Sequence, residues 1–154
     1  MTTEASVRTF FSSPQFAVVG ASSNPVKFGH KVFSWYTAHS LPVTPINPGT
    51  ASITNSDGEH PTVKSLADLP DPKHTSLSII TPAPTTLEVL REAKRLGIPA
   101  VWLQPGTWDE EVILYARGEN GYGGEVVAGD GGAASSGWCV LVDGDRGLKS
   151  VGKL

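Results

Sequence analysis

The chain has 154 residues, 39% of them hydrophobic and 18% charged, and a formal net charge of −3 at pH 7. This length predicts one domain with a single sizeable core, and the acidic balance argues against a general nucleic-acid binder, which needs clustered Lys and Arg. No apolar run approaches the roughly 20 residues of a membrane span, and the first residues lack the pattern of a signal peptide. The single cysteine fits a reducing compartment, so we expect a cytoplasmic protein.

The first part of the chain predicts a helix, a strand, a second helix and a second strand. The first helix stops at Ser12-Ser13-Pro14, because proline disfavours helical backbone at the residue before it. In the second helix, apolar residues at i, i+4, i+7 and i+8 share one face, which we expect to be core rather than a ligand stack. These residues are Phe28, Val32, Trp35 and Tyr36. The four predicted ranges are Glu4–Phe11, Phe16–Val19, Phe28–His39 and Val43–Ile46.

The middle of the chain predicts a loop, a short helix and two strands. The segment 47–61 is rich in Pro, Gly, Asn and Asp, which favour turns. Val63–Leu69, which ends at Pro70, predicts a short helix. Short apolar runs predict strands over Leu77–Ile80 and Ala100–Leu103.

Two further helices are predicted from capping-box spacing, in which Ser or Thr stands three residues before Glu. Each is expected to end at a glycine, the residue that most easily adopts the left-handed conformation past a helix end. The capping pairs and terminal glycines are Thr85, Glu88 and Gly97 for the first helix, and Thr107, Glu110 and Gly118 for the second.

The last part of the chain is rich in glycine, which supplies eight of the twenty residues in 118–137. This composition predicts a flexible insertion, within which Glu125–Val127 has a weak strand pattern. Trp138–Val142 is a further apolar run and predicts a final strand.

Strands that alternate with helices predict an α/β fold with a Rossmann-like, doubly wound and mostly parallel sheet, covered by helices on both faces. We expect residues 1–154 to form a single domain of this kind. In such sheets ligands bind beyond the carboxyl ends of the strands, where this chain carries Gly, Pro and small polar residues.

The segment from Phe16 to His30 predicts a phosphate site. An apolar strand ends at Gly20, small and hydroxyl residues follow, and a helix opens near Lys27 and Gly29. Free backbone N–H groups and the helix dipole favour an anion at such a place, and a lysine adds a full positive charge.

A nicotinamide cofactor fits this segment poorly. The pattern G-x-G-x-x-G is absent, because the glycine after Gly20 is Gly29. The second strand ends in Asn47-Pro48-Gly49, without the carboxylate that holds a ribose 2′-hydroxyl. Neither absence counts against a nucleotide whose ribose carries a 3′-phosphate, which a carboxylate would repel.

Five stretches of the chain resemble the small stand-alone CoA-binding proteins, whose domain also occurs in the succinyl-CoA synthetase alpha subunit. The resemblance covers roughly residues 5 to 118, and the five stretches occur in the family's order. They are Val18-Val-Gly-Ala-Ser22 with Asn24-Pro25 and Lys27-x-Gly29, Val43-x-Pro-Ile-Asn-Pro48, Ser65-Leu-Ala-Asp-Leu-Pro70, Thr81-Pro-Ala-Pro84 and Ala100-Val-Trp-Leu-Gln-Pro-Gly106.

The resemblance implies that CoA or an acyl-CoA is the ligand. It implies pyrophosphate contacts at the first turn and the helix after it, adenosine contacts after the second strand, and pantetheine contacts after the two later strands. The implied residues are, in that order, Gly20, Ala21, Ser22, Ser23, Lys27, Phe28 and Gly29; Asn47 and Pro48; and Thr81, Pro82, Ala83, Gln104 and Gly106.

The residue types at the strand ends favour binding over catalysis. They include no carboxylate, and Ser22 has no evident His and Asp partners. Cys139 lies in an apolar run, which is typical of a small buried hydrophobe, although a mixed disulfide with the CoA thiol is an alternative. The leading hypothesis is a non-catalytic CoA binder. The alternatives are a nicotinamide-dependent reductase and a regulatory or scaffold module with a vestigial nucleotide site.

Overall fold

The computed structural model describes residues 1–154 and contains a five-stranded parallel sheet with helices on both faces. The strands of this sheet, in spatial order, are β2 (Val43–Ile46), β1 (Gln15–Val19), β5 (Thr75–Ile79), β6 (Ala100–Leu103) and β7 (Glu125–Val127). An antiparallel hairpin consists of β3 (Ser52–Asn55) and β4 (Gly58–Pro61). The helices are α1 (Glu4–Phe11), α2 (Phe28–Ala38), α3 (Ala83–Leu96), α4 (Glu110–Arg117) and α5 (Val140–Ser150). The predicted Rossmann-like α/β fold is confirmed; that the chain forms one domain stays a prediction.

Successive residues of the central strands point to two cores, one on each face of the sheet. Ala17 and Val19 of β1 belong to the cluster that includes α3 and α4. Phe16 and Val18 belong to the cluster that includes α1, α2 and α5. Because both faces are covered, all residues of β5 and β6 are buried, as is typical of parallel sheets.

Aromatic rings fill the core between α1, α2 and the sheet. The ring centroid of Phe11 lies 5.9 Å from that of Trp35 and 5.8 Å from that of Trp102, contacts worth about 1 kcal/mol each beyond the buried area. Tyr36 and Ser78 share a hydrogen bond of 2.7 Å between their hydroxyl oxygens. Burial raises the pKa of the Tyr36 phenol, and the Ser78 hydrogen bond only partly offsets that rise. The phenol therefore stays protonated inside this core.

The predicted apolar face of α2 is confirmed for three of its four residues. Val32, Trp35 and Tyr36 are buried. For Phe28 the prediction is wrong, since this side chain is 56% exposed at the first residue of the helix. Its ring lies 5.1 Å from the Lys31 ammonium. The Phe28 side chain thus belongs to the surface and not to the core.

The predicted loop 47–61 contains the β3–β4 hairpin, so this prediction is wrong for most of its length. Asn55 holds the hairpin against α2 by donating to Ser34 Oγ at 3.2 Å and to Thr37 Oγ1 at 3.1 Å. Tertiary contacts of this kind override the weak strand propensity of a segment rich in turn-forming residues. The helix predicted over Val63–Leu69 is reduced to one 3₁₀ turn, Leu66–Asp68.

The strand predicted at Trp138–Val142 is wrong, because α5 begins at Val140. Gly144 and Gly147 lie on the buried face of this helix. A Cβ at Gly144 would lie 2.4 Å from the Trp35 ring, and one at Gly147 would lie 2.5 Å from the Phe11 ring. Two glycines inside a helix lower its propensity, but here they let the helix pack closely on the aromatic core.

Both predicted capping boxes are wrong, although the two helices predicted from them are present. Helix α3 begins at Ala83 after Pro82, with no side-chain cap. The cap of α4 is Asp109, whose carboxylate accepts a 2.9 Å hydrogen bond from the Val112 N–H. The predicted end of α3 is confirmed, since Gly97 has a φ of 76°.

Single residues of the same chain cover both outer edges of the main sheet. Beside β2, the Val63 N–H donates to the Pro45 carbonyl at 3.1 Å, and its carbonyl accepts the Asn47 N–H at 3.0 Å. Beside β7, Thr2 Oγ1 donates to the Ala128 carbonyl at 2.7 Å and accepts the Ala128 N–H at 2.9 Å. Neither edge therefore presents a full row of free backbone groups. No helix of the structure combines the length and apolar character needed to cross a bilayer.

A buried carboxylate ties the glycine-rich segment to α5. Asp143 is fully buried and accepts hydrogen bonds from the Ala133 N–H at 2.8 Å, the Cys139 N–H at 3.0 Å and the Arg146 guanidinium at 3.1 Å. These bonds satisfy a charge that would be costly to bury alone. The flexibility predicted for 118–137 as a whole stays a prediction.

We expect Asp143→Ala to lower the free energy of unfolding by about 2 kcal/mol, because the buried Cys139 N–H and the Ala133 N–H lose their acceptor and Arg146 keeps only Glu4 as a carboxylate partner. Chemical denaturation measures the change. Asp130→Ala is the matched control, since Asp130 is exposed in the same segment. Equal stability of both variants and the wild type would contradict a structural role for Asp143.

Candidate functional site

The turn between β1 and α2 is built on two glycines that admit no side chain. Gly20 has a φ of +90°, and a Cβ there would lie 2.1 Å from the Ile80 carbonyl oxygen. A Cβ at Gly29 would lie 2.0 Å from the Gly20 carbonyl oxygen. The first turn of α2 therefore rests directly on the backbone that leaves β1.

The side chains of this turn form hydrogen bonds within the protein. Ser22 Oγ accepts the Asn24 N–H at 3.0 Å, and Ser23 Oγ accepts the Thr54 N–H of the β3–β4 hairpin at 2.9 Å. His30 Nδ1 lies 3.0 Å from the Ser22 carbonyl oxygen. These bonds hold the turn in one conformation, as hydroxyl side chains often do in loops.

Several backbone N–H groups of the turn have no acceptor in the protein. Together with the N-terminal end of α2 they form a cluster of donors where the helix dipole is positive, an arrangement that suits a phosphate. Lys27 is the residue before the helix, is exposed, and makes no ion pair. The donors without an acceptor are the N–H groups of Ala21, Ser22, Ser23, Phe28 and Gly29.

A groove with a cavity volume of about 660 Å³ begins beside this turn at Gly20. One wall consists of strand ends, and the other consists of α3 and the segment before the first 3₁₀ turn. Its volume lies within the range of ligand pockets. The residues on the strand side are Val19, Gly20, Ile46, Asn47, Pro48 and Thr81. Those opposite are Lys64, Ser65, Leu66, Thr85, Glu88, Val89, Arg91, Glu92 and Arg95.

Three cations and two carboxylates line the groove, and none of the five was among the predicted site residues. Arg91 donates to Glu88 at 2.5 Å, and Arg95 donates to Glu92 at 3.2 Å. Lys64 is exposed and makes no ion pair. The signal that could have found four of them is the i, i+3 and i+4 spacing of the charges on α3, which places these charges on one side of the helix. No local pattern indicates Lys64.

Four of the predicted site residues line this groove: Gly20, Asn47, Pro48 and Thr81. The Asn47 side chain is engaged within the protein, because its amide donates to the Ala21 carbonyl at 2.8 Å and its oxygen accepts the Gly49 N–H at 2.7 Å. Asn47 thereby ties the end of β2 to the turn after β1, and its proposed contact with a ligand stays a prediction.

The other predicted residues lie outside the groove lining. Ala21, Ser22, Ser23, Lys27, Phe28 and Gly29 belong to the β1–α2 turn, and Pro82 and Ala83 start α3. Gly106 is exposed with a φ of 88° in the loop after β6.

Gln104 is only 2% exposed and holds the start of α5. Its side-chain oxygen Oε1 accepts the Val140 N–H at 2.8 Å, and its side-chain nitrogen Nε2 donates to Cys139 Sγ at 3.3 Å. Cys139 itself is 7% exposed. These contacts give Gln104 a structural role that the sequence did not indicate; a ligand contact for it stays a prediction.

Comparison with known proteins gives one family match. A model described as the CoA binding domain matches residues 14–131 of the chain. This range includes the turn, the groove and all five strands of the main sheet. No curated protein matches the chain.

Solved structures share the fold over most of the chain. A hypothetical protein from Pyrococcus horikoshii OT3 is 22% identical with a TM-score of 0.73, over 97% of this chain and 92% of that one. A Thermus thermophilus protein described as cell-free ID.343 is 26% identical with a TM-score of 0.73, over 95% and 99%. A conserved hypothetical protein from Pyrococcus furiosus is 28% identical with a TM-score of 0.61, over 73% and 90%.

We expect Gly29→Ala to destabilise the protein by about 1–3 kcal/mol, although alanine is the better helix former by about 1 kcal/mol. The added methyl would collide with the Gly20 carbonyl and push α2 away from the turn. Thermal and chemical denaturation measure the loss. Gly49→Ala is the control, since a Cβ there would meet only the Asn47 side chain. A Gly29→Ala variant as stable as the wild type would show that the turn is not tightly packed.

Proposed function

The chain belongs to the CoA binding domain family, and we propose that it binds CoA or an acyl-CoA without catalysing a reaction on it. The observation that supports this most is the set of backbone N–H groups in the β1–α2 turn that have no protein acceptor. A pyrophosphate supplies the acceptors that these donors lack. Lys27, exposed and without an ion pair, adds a positive charge at the same turn.

The groove beside the turn gives the rest of the ligand a place to lie. In this proposal the pyrophosphate contacts Gly20–Ser23 and the start of α2, and the adenosine lies in the groove near Asn47 and Pro48. The pantetheine arm passes Thr81–Ala83 and runs toward the loop at Gly106. All of these residues follow the carboxyl ends of strands, where ligands of such sheets bind.

The polar groups around the turn favour binding over catalysis. The hydroxyls of Ser22 and Ser23 accept hydrogen bonds from backbone N–H groups, and the Asn47 amide joins two segments of backbone. Such side chains shape a site rather than attack a ligand. We also propose a cytoplasmic location, which the single free cysteine Cys139 supports.

Titration calorimetry and thermal denaturation with CoA, NADH and NADPH test the proposal. CoA is expected to release heat and to raise the melting temperature, since a ligand at 100 times its Kd stabilises the native state by about 2.7 kcal/mol. Binding of NADH or NADPH without CoA binding would instead support a reductase. Binding of none of the three would support a vestigial site.

We expect Lys27→Ala to weaken CoA binding by about tenfold at low salt and to leave the fold intact, because a charge-assisted phosphate contact is lost. Calorimetry gives the Kd. Lys149→Ala is the matched control, since Lys149 is exposed on α5. If both variants bind CoA as the wild type does, Lys27 is only a solvated surface lysine.

A further inference from the structure

The groove beside the turn carries a cluster of cations on both of its walls. Arg91 and Arg95 lie one helical turn apart on α3, and Lys64 lies on the segment that faces them. The two walls are joined directly, because Glu92 Oε1 accepts the Leu66 N–H at 3.1 Å. The three cations, although exposed, therefore line one groove.

The two arginines are oriented but not saturated by their ion pairs. Arg91 donates through Nη1 to Glu88, and Arg95 donates through Nη2 to Glu92. A guanidinium has five N–H donors, and the others of each arginine have no protein acceptor in the structure. The Arg91 guanidinium also lies 5.9 Å from the centroid of the Tyr115 ring, a contact that limits its motion.

Both carboxylates of the groove already accept hydrogen bonds within the protein. Glu92 is engaged by the Leu66 N–H and by Arg95, and Glu88 is engaged by Arg91. With Lys64 unpaired, three cations stand against two carboxylates, which leaves a net positive charge. Spare guanidinium donors and net positive charge suit a phosphate group.

We infer that Lys64, Arg91 and Arg95 recognise the phosphate on the ribose 3′ carbon of CoA, so that the protein selects CoA over dephospho-CoA. The inference rests on the proposed function, which places the adenosine in this groove. NADPH also carries a phosphate on its ribose, at the 2′ carbon, which the same cations could bind. The experiment therefore includes a separate titration with NADPH.

The experiment is a calorimetric titration of the wild type and of single variants with CoA and with dephospho-CoA. The wild type is expected to bind CoA at least tenfold more tightly than dephospho-CoA. Lys64→Ala, Arg91→Ala and Arg95→Ala are each expected to weaken CoA binding about threefold to tenfold and to leave dephospho-CoA binding unchanged. Adding salt should reduce the difference between the two ligands, because it screens exposed charges.

Two further variants separate phosphate recognition from a general effect on α3. Lys94→Ala is the matched control, since Lys94 lies on the same helix outside the groove and donates to the Asn120 carbonyl at 2.9 Å. It is expected to bind both ligands as the wild type does. Glu88→Gln removes a carboxylate that competes for Arg91 and is expected to tighten CoA binding. Circular dichroism and melting temperature confirm that each variant is folded.

The outcomes distinguish failure of this inference from failure of the proposed function. Equal affinity of the wild type for CoA and dephospho-CoA would overturn the inference and leave CoA binding intact. Equal loss of affinity for CoA and dephospho-CoA in the alanine variants would also overturn it, because the contribution of the cations would then not depend on the 3′-phosphate. Binding of neither ligand would overturn the proposed function. A further result would assign the phosphate subsite to a nicotinamide ligand. In that case NADPH binds more tightly than CoA, NADH does not bind, and the same alanine variants lose affinity for NADPH.

Discussion

The close approach of Gly29 to the carbonyl oxygen of Gly20 is the contact on which the rest of the site depends. Gly20 itself packs against the Ile80 carbonyl, so the turn is held between the end of β5 and the start of α2. Any Cβ at either glycine would separate these pieces. The backbone N–H groups of the turn that have no acceptor are therefore held in place by the sheet, and a ligand that bound them would meet donors that are already oriented.

The candidate site consists of backbone groups in the turn and of side chains from several segments. The sequence indicated the first and only some of the second. The strand–glycine–helix pattern indicated the β1–α2 turn as a candidate site, because that pattern is local. It did not reveal that Ser23 and Asn47 bind other segments of backbone, since those partners are distant in sequence. It also missed Lys64 and the arginines of α3, which come together only when the chain folds across the strand ends.

The fold was predictable where a segment's own pattern decides its structure. The strands of the main sheet follow from apolar runs, and the end of α3 follows from Gly97 in the left-handed conformation. Helix α5 was not predictable in this way, because Gly144 and Gly147 have low helix propensity and are explained only by the rings of Trp35 and Phe11 against which they pack. The β3–β4 hairpin likewise depends on a contact with α2 that no local pattern contains.

The single residues that lie along the two outer strands affect how copies of this chain meet one another. Exposed strand edges are the usual templates for amyloid-like and other edge-to-edge association. In this protein Val63 occupies one edge, and Thr2 engages the Ala128 backbone at the other. A strand from a second molecule would first have to displace one of them. Each outer strand therefore offers a second molecule fewer free backbone groups than an uncovered edge would.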